Sequence, residues 1–147
     1  MKKFYFLILI SFFFPLNVFS DETFLSLKKN KVNVRYGPSF DFPVKYIYKK
    51  INLPIKQIDK KENFRRIIDI KKNSGWIHKS QLKKVNSVIT IEDKILFEKS
   101  TIFSKPIANI KKGRLLIVKK CEDDWCNVET EGLKGWIDKI NLWGAVN

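Results

Sequence analysis

The chain has 147 residues, with 29 Lys or Arg against 15 Asp or Glu, for a formal charge of +14 with its one histidine neutral. A single histidine and two cysteines argue against a metal centre, and the length holds one ordinary domain or two small ones. Of the cations only Arg35, Arg65, Arg66 and Arg114 are arginine. Base edges and bidentate phosphate contacts favour arginine forks, so no specific nucleic-acid recognition is expected, only weak attraction to anionic surfaces.

Lys2 and Lys3 open the chain, Phe4 to Phe14 is an apolar run, and Pro15 breaks it. Val18-Phe19-Ser20 offers a cleavage site, and the run is shorter than the roughly 20 residues of a membrane span. Residues 1–20 therefore read as a signal peptide cleaved after about Ser20, which places the protein in the periplasm or outside the cell. The alternative is an uncleaved N-terminus anchored in the inner membrane. No cysteine near the cleavage point supports a lipid anchor.

The remainder reads as β-structure. Val32-Asn33-Val34-Arg35 alternates apolar and polar, as a half-buried strand should, and Gly37-Pro38-Ser39 is turn chemistry. Aromatics then crowd together at Tyr36, Phe40, Phe42, Tyr46 and Tyr48. They outnumber what a small core needs, so a shallow aromatic groove is expected with Arg35 at its rim. Arg35, Tyr36, Phe40, Phe42 and Tyr46 are the candidate ligand contacts; the alternative is that all five aromatics pack inward or against a second domain. Residues 83–94 lack Pro and Gly, and Val88-Ile89-Thr90-Ile91 predicts a strand rather than a flexible linker. Leu115 to Val118 is a further apolar run. Cys126, Val128 and Thr130 then alternate with Asn127 and Glu129, and Trp136-Ile137 opens a last strand. No helical period exceeds two turns.

The chain repeats itself. Gly75-Trp76-Ile77-His78-Lys79-Ser80-Gln81-Leu82 returns as Gly135-Trp136-Ile137-Asp138-Lys139-Ile140-Asn141-Leu142. Upstream, Lys49-Lys50 matches Lys111-Lys112 and Leu53 matches Leu115 at an offset of 62, Phe64 matches Trp125 at 61, and Trp76 matches Trp136 at 60. One residue is lost at each of two turns, where deletions disturb a fold least. The prediction is an all-β protein: after the signal peptide, two tandem small barrels at 24–84 and 85–147, packed closely, with Trp76 and Trp136 in their cores. Trp143 either closes the second barrel or joins the two.

Cys121 and Cys126 flank Glu122-Asp123-Asp124-Trp125. A tight hairpin centred on Asp123-Asp124 sets the two opposite each other at a Cα separation of about 4.5 Å, within disulfide range. Outside the cytoplasm an even cysteine count supports a bond; two reduced buried cysteines are the alternative. In the first copy Asp59 and Arg65 align with the cysteines and suggest an ion pair instead. His78 lies in the other copy from both cysteines, so a Cys–His nucleophile is not expected, and it reads as an exposed, exchangeable position. Glu92-Asp93 and Asp123-Asp124 are adjacent carboxylates that point to opposite strand faces and read as turns. The expectation is no catalytic residue, no metal and no cofactor.

Val32-Asn33-Val34-Arg35-Tyr36-Gly37-Pro38-Ser39, the Lys-Lys turn before an apolar strand, and Gly-Trp-Ile with a Leu six residues after the Trp resemble the bacterial SH3-like (SH3b) domain. The second copy, with its Cys121–Cys126 hairpin and its Leu142-Trp143-Gly144 ending, resembles a secreted proteobacterial subgroup carrying two such domains. The likeness spans residues 24–145. The second copy lacks the Asn-x-Arg and Gly-Pro-Ser elements, so a ligand loop shaped by them belongs to the first copy alone. What the resemblance implies is a non-catalytic binding module, with cell-wall peptidoglycan, through its peptides or glycans, as the partner. An envelope protein-interaction adaptor and an electrostatic binder of anionic polymer or lipid surface are the two alternatives. Oligomeric state is left open.

Overall fold

The computed structural model describes residues 23–144; the segment read as a signal peptide lies outside the described residues. Two separate antiparallel sheets account for nearly all of it. The first holds β1 (Thr23–Leu27), β2 (Val32–Arg35), β3 (Val44–Tyr48), β4 (Pro54–Lys61), β5 (Phe64–Ile68), β6 (Ser74–His78) and β7 (Leu82–Lys84), with a 3₁₀ turn at Lys79–Gln81. The second holds β8 (Ser87–Thr90), β9 (Lys94–Phe97), β10 (Pro106–Ile110), β11 (Leu115–Glu122), β12 (Trp125–Thr130), β13 (Leu133–Asp138) and β14 (Leu142–Trp143). Their strand orders, β3-β2-β6-β5-β4-β1-β7 and β10-β9-β13-β12-β11-β8-β14, are the same order written twice.

The offsets of the repeat are visible in the strands. β2 and β3 map onto β9 and β10 at 62, β4 and β5 onto β11 and β12 at 61, and β6 onto β13 at 60. Pro54, rather than Leu53, is therefore the partner of Leu115. Each sheet wraps its own core: Leu27, Val32, Val34, Ile55, Ile67 and Ile77 in the first, and Val88, Leu96, Ile110, Leu116, Cys126, Val128 and Ile137 in the second. Burying an aliphatic side chain of this size contributes about 1.5–3 kcal/mol.

Period-two alternation explains the Gly-Trp-Ile motif and corrects one expectation. Gly75 and Ile77 face inward, as do Gly135 and Ile137, so Trp76 and Trp136 between them lie half-buried on the outer face. The core residue of the motif is the isoleucine. The glycine is required because a neighbouring strand crosses over it. A Cβ on Gly75 would strike the Val34 side chain, and one on Gly135 would sit 2.6 Å from the Phe97 carbonyl oxygen.

The hairpin β11–β12 places Cys121 opposite Cys126, with Asp123 at φ 48° in the turn and a Cα separation of 4.1 Å. The two cysteines form a disulfide. In β4–β5 the suggested Asp59–Arg65 pair is absent. At the offset of 61 Lys60, not Asp59, takes the position of Cys121, and both hairpins carry the same bulge, so Lys60 faces Arg65 while Asp59 faces Arg66. Two cations directly opposite repel. Arg65 turns its guanidinium onto the carbonyls of Glu62 and Phe64, at 3.0 and 2.9 Å, and so braces the hairpin that the disulfide clips in the second sheet.

The predicted strand in the connecting segment is β8, and the sheets pack against each other through it. Ser26 Oγ meets Ser87 Oγ at 3.0 Å, both fully buried, and the Ser87 hydroxyl also donates to the Asn52 carbonyl. Trp143 does both things considered for it. It pairs with Ile89 within the second sheet, donates its Nε1 proton to the Pro54 carbonyl of the first at 3.1 Å, and stacks edge-on with Phe24 at 5.2 Å.

Replacing both cysteines with serine should lower the stability of the second sheet by about 2 kcal/mol, the entropy of so short a loop, and leave the first nearly unchanged. Every described tyrosine lies in the first half and three of the four tryptophans, Trp125, Trp136 and Trp143, in the second. Near-ultraviolet tyrosine and tryptophan transitions followed through thermal unfolding, with Trp76 replaced by Phe, therefore separate the two. Equal losses would make the sheets one cooperative unit. Trp143→Ala should weaken the seam by about 2 kcal/mol and speed tryptic cleavage after Lys83 and Lys84. In the parent these lysines pair with Ser26 and Leu25 of β1, so clean release of two stable halves from the parent would contradict the packing.

Candidate functional site

The residues singled out from the sequence separate into two places. Arg35 ends β2 at a bulge, and its guanidinium donates to the carbonyls of Phe40 and Phe42, at 3.3 and 2.7 Å, while lying 5.3 Å from the Phe40 ring centre. Arg35 is thus a brace for the loop between β2 and β3 rather than a free cation at a groove rim. Phe40 packs edge-on against Phe64 and tilted against His78, both at 5.2 Å. The Phe42 ring rests on Gly37, where any Cβ would fall 2.6 Å from it. Tyr36 (61%), Phe40 (63%) and Phe42 (45%) nonetheless remain substantially exposed. The loop is an exposed aromatic shelf braced by Arg35, Phe64 and His78.

His78 is also more than an exchangeable surface position. It is half-buried, and its Nδ1 accepts the Ser80 amide at 3.3 Å to cap the 3₁₀ turn. Asp138, its counterpart, accepts the Ile140 amide at 3.0 Å in the same way, so the two residues share a capping role that histidine and aspartate can both fill. Asp138 also takes the buried Lys94 ammonium at 2.7 Å.

Tyr46 lies apart from the shelf. With Tyr48 it packs on the first core, whereas Lys45 points the other way and lies 5.6 Å from the Tyr36 ring centre. The hydroxyls of Tyr46 and Tyr48 are 3.3 Å apart, and Tyr48 donates to Asp69 Oδ2 at 2.9 Å. Asp69, buried, also accepts from the Lys71 and Asn73 amides and from Asn73 Nδ2, which fixes the loop between β5 and β6. Burial drives both tyrosine hydroxyls above their ordinary value of 10.0, so both stay protonated well into the alkaline range.

These groups line one end of a cleft. A concavity of about 520 Å³ runs along Tyr46, Tyr48, Asp69 and Asn73 to Leu53, Ile70 and Lys71. The last three also line a second concavity of about 500 Å³, which continues over Ile89, Ile91 and Leu115 to Lys50 and Lys112 at the seam between the sheets. The floor is aliphatic and the rim carries three exposed lysines, with no ion pair to any of the three among the described residues. Asp69 is the only acid lining the cleft, and its oxygens are fully engaged by the loop. A shallower depression of about 420 Å³ on another part of the seam contains its own Lys119–Glu129 ion pair at 3.0 Å.

Sequence reading found Tyr46 but not Lys50, Lys71, Lys112 or Asp69. One signal was present, since Lys50 and Lys112 occupy the same repeat position and converge on one cleft. The second sheet has no equivalent tyrosine end, because Ala108 and Ile110 stand in place of Tyr46 and Tyr48.

No curated protein matches the chain. Among solved structures, NlpC2 from Trichomonas vaginalis is similar at 13% identity and a TM-score of 0.39, over 86% of this chain and 49% of that one. NlpC1 from the same organism has the same identity and TM-score, over 85% of this chain and 46% of that one. The chain thus spans about half the length of these two proteins. The bacterial SH3 domain model matches over residues 28–84, in the first sheet, and 103–144, in the second. With more than half of its length matched, the chain belongs to the bacterial SH3 domain family.

Proposed function

We propose that this protein is a non-catalytic binding module of the bacterial envelope, working outside the cytoplasm, that holds cell-wall peptide in the cleft between Tyr46 and Lys112. The charge pattern of the cleft carries the reading. An aliphatic floor under three unpaired lysines suits a short peptide with small side chains and free carboxylates, which is the composition of the peptides of peptidoglycan. The tyrosine hydroxyls and Asn73 at the other end offer hydrogen bonds to its backbone. Membership of the bacterial SH3 family supports a binding role. The Cys121–Cys126 disulfide supports an oxidising compartment, and because both cysteines are bonded neither presents a thiol nucleophile.

The test is co-sedimentation of residues 21–147 with purified peptidoglycan sacculi at low and moderate salt. Retention is expected at both, and replacing Lys50, Lys71 and Lys112 together by glutamine should weaken it about tenfold, since each is exposed and partly screened. Arg35→Ala should loosen the aromatic shelf but leave retention within about threefold of the parent. Loss of all parental binding at moderate salt would reduce the signal to bulk lysine charge and make an envelope protein the leading partner. The tyrosine end of the cleft should contribute equally from neutrality to about pH 9, because both tyrosine hydroxyls, raised above their ordinary value of 10.0 by burial, remain protonated over that range. A Tyr46→Phe, Tyr48→Phe variant should therefore show the same pH profile of retention as the parent.

A further inference from the structure

The β9–β10 loop of the second sheet presents the most exposed large apolar side chain among the described residues. Phe103 is 92% exposed and its neighbour Ile102 is 66% exposed. The loop is not loosely built. Thr101 Oγ1 accepts the Phe103 amide at 3.3 Å, Ser104 Oγ accepts the Lys99 amide at 2.9 Å, and the Ser104 amide donates to the Thr101 carbonyl at 3.2 Å. Its small polar side chains satisfy its own backbone while its two large apolar ones project outward, the reverse of an ordinary surface loop.

The repeat shows that the fold does not demand this. The corresponding loop of the first sheet has the same length and the same turn, in which Ser39 Oγ accepts the Asp41 amide at 3.0 Å. Asp41 stands where Phe103 stands, and Phe40, the counterpart of Ile102, folds back onto Phe64 and His78. One backbone thus carries a charged tip in one copy and a phenylalanine wedge in the other.

We propose that the Ile102–Phe103 tip is a membrane-insertion element, which seats the second domain on a bilayer containing anionic phospholipid. A convex tip of two side chains fits an occupant that needs no shape complementarity, and a lipid interface takes such a wedge where a folded protein would need a matching pocket. Lys99 and Lys105 bracket the tip, both exposed, against Glu98 as the one acid of the loop, in a chain of net charge +14. That sign matches anionic headgroups. The tip lies outside the cleft, so this proposal stands or falls separately from the wall-peptide reading.

Residues 21–147, which contain both described cores and leave out the N-terminal apolar run, are sedimented with vesicles of phosphatidylcholine alone and of phosphatidylcholine with one third phosphatidylglycerol. Binding is expected to the anionic vesicles. The Ile102→Ser, Phe103→Ser double variant should lower the partition coefficient about tenfold or more, and Lys99→Gln with Lys105→Gln several-fold, more at low salt than at high. Because these side chains are exposed, thermal unfolding and sacculus retention of the variants should match the parent, which separates lost insertion from lost fold. No binding of the parent to anionic vesicles overturns the proposal, as does equal binding by the serine variant. A Phe103-dependent dimer in sedimentation velocity would reassign the tip to a second copy of this chain and overturn it as well.

Discussion

The close crossing of one strand over a glycine in the next holds each half of this protein together. β2 passes over β6 at Gly75, and β9 over β13 at Gly135, where no side chain larger than hydrogen fits. That contact joins strands far apart in sequence, β2 to β6 and β9 to β13, and it carries the β2–β3 and β9–β10 hairpins back toward the rest of their sheets. In the first half the crossing also shapes the cleft. Folding β3 back sets Tyr48 within hydrogen-bonding distance of Asp69 on the loop after β5, so the tyrosine end of the cleft depends on a glycine that never touches it.

Much of this was legible in the chain, for identifiable reasons. The duplicated octads, their drifting offset and the alternation at Val32–Arg35 and Cys126–Thr130 follow from period-two burial and show directly as strands. The Cys121–Cys126 bond was legible because a two-residue turn fixes which residues face each other. Where the reading failed, register or face was at issue. Trp76 and Trp136 were assigned to the core because they open the same strand in each copy, but the adjacent glycine, small because a strand crosses it, defines the inner face and turns the tryptophans out. The Asp59–Arg65 pairing failed because the repeat offset is already 61 in β4, so Lys60 rather than Asp59 takes the place of Cys121; the bulge itself is common to both hairpins. Arg35 was placed at the rim of an aromatic groove, and the fold adds that its guanidinium also holds the Phe40 and Phe42 carbonyls. The cleft was hidden because its lysines come from three loops that only the fold brings together.

The two halves also show how one backbone tolerates different solutions to the same local problem. The long hairpin is braced by an arginine on turn carbonyls in one copy and by a disulfide in the other. The turn before the last strand is capped by His78 in one and Asp138 in the other. Lys94 sits where Val32 sits, buried to 2% exposure, and is held by Glu92 and Asp138 at 3.2 and 2.7 Å. Such a cluster adds little net stability over an apolar side chain, but removing both carboxylates would leave the buried Lys94 ammonium without a partner and at the full desolvation penalty. The second half is therefore the one sensitive to reduction, while the first holds its loops through the hydrogen bonds of Arg35, Arg65 and Asp69.

The seam between the halves gives this sensitivity a consequence for binding. Its centre is polar, with Ser26 and Ser87 fully buried and bonded to each other and Ser87 also bonded to Asn52. A seam of apolar side chains alone would tolerate sliding, whereas paired hydroxyls out of water fix one arrangement, because any shift leaves both without partners. That arrangement is the one in which Lys50 and Lys71 of the first half face Lys112 and Ile91 of the second across a single cleft. Three like charges converging there oppose docking, and an anionic ligand relieves that opposition only when the halves are docked. For the anionic ligand proposed above, linkage then requires that whatever holds the seam raises its affinity and that the ligand strengthens the seam by the same free energy.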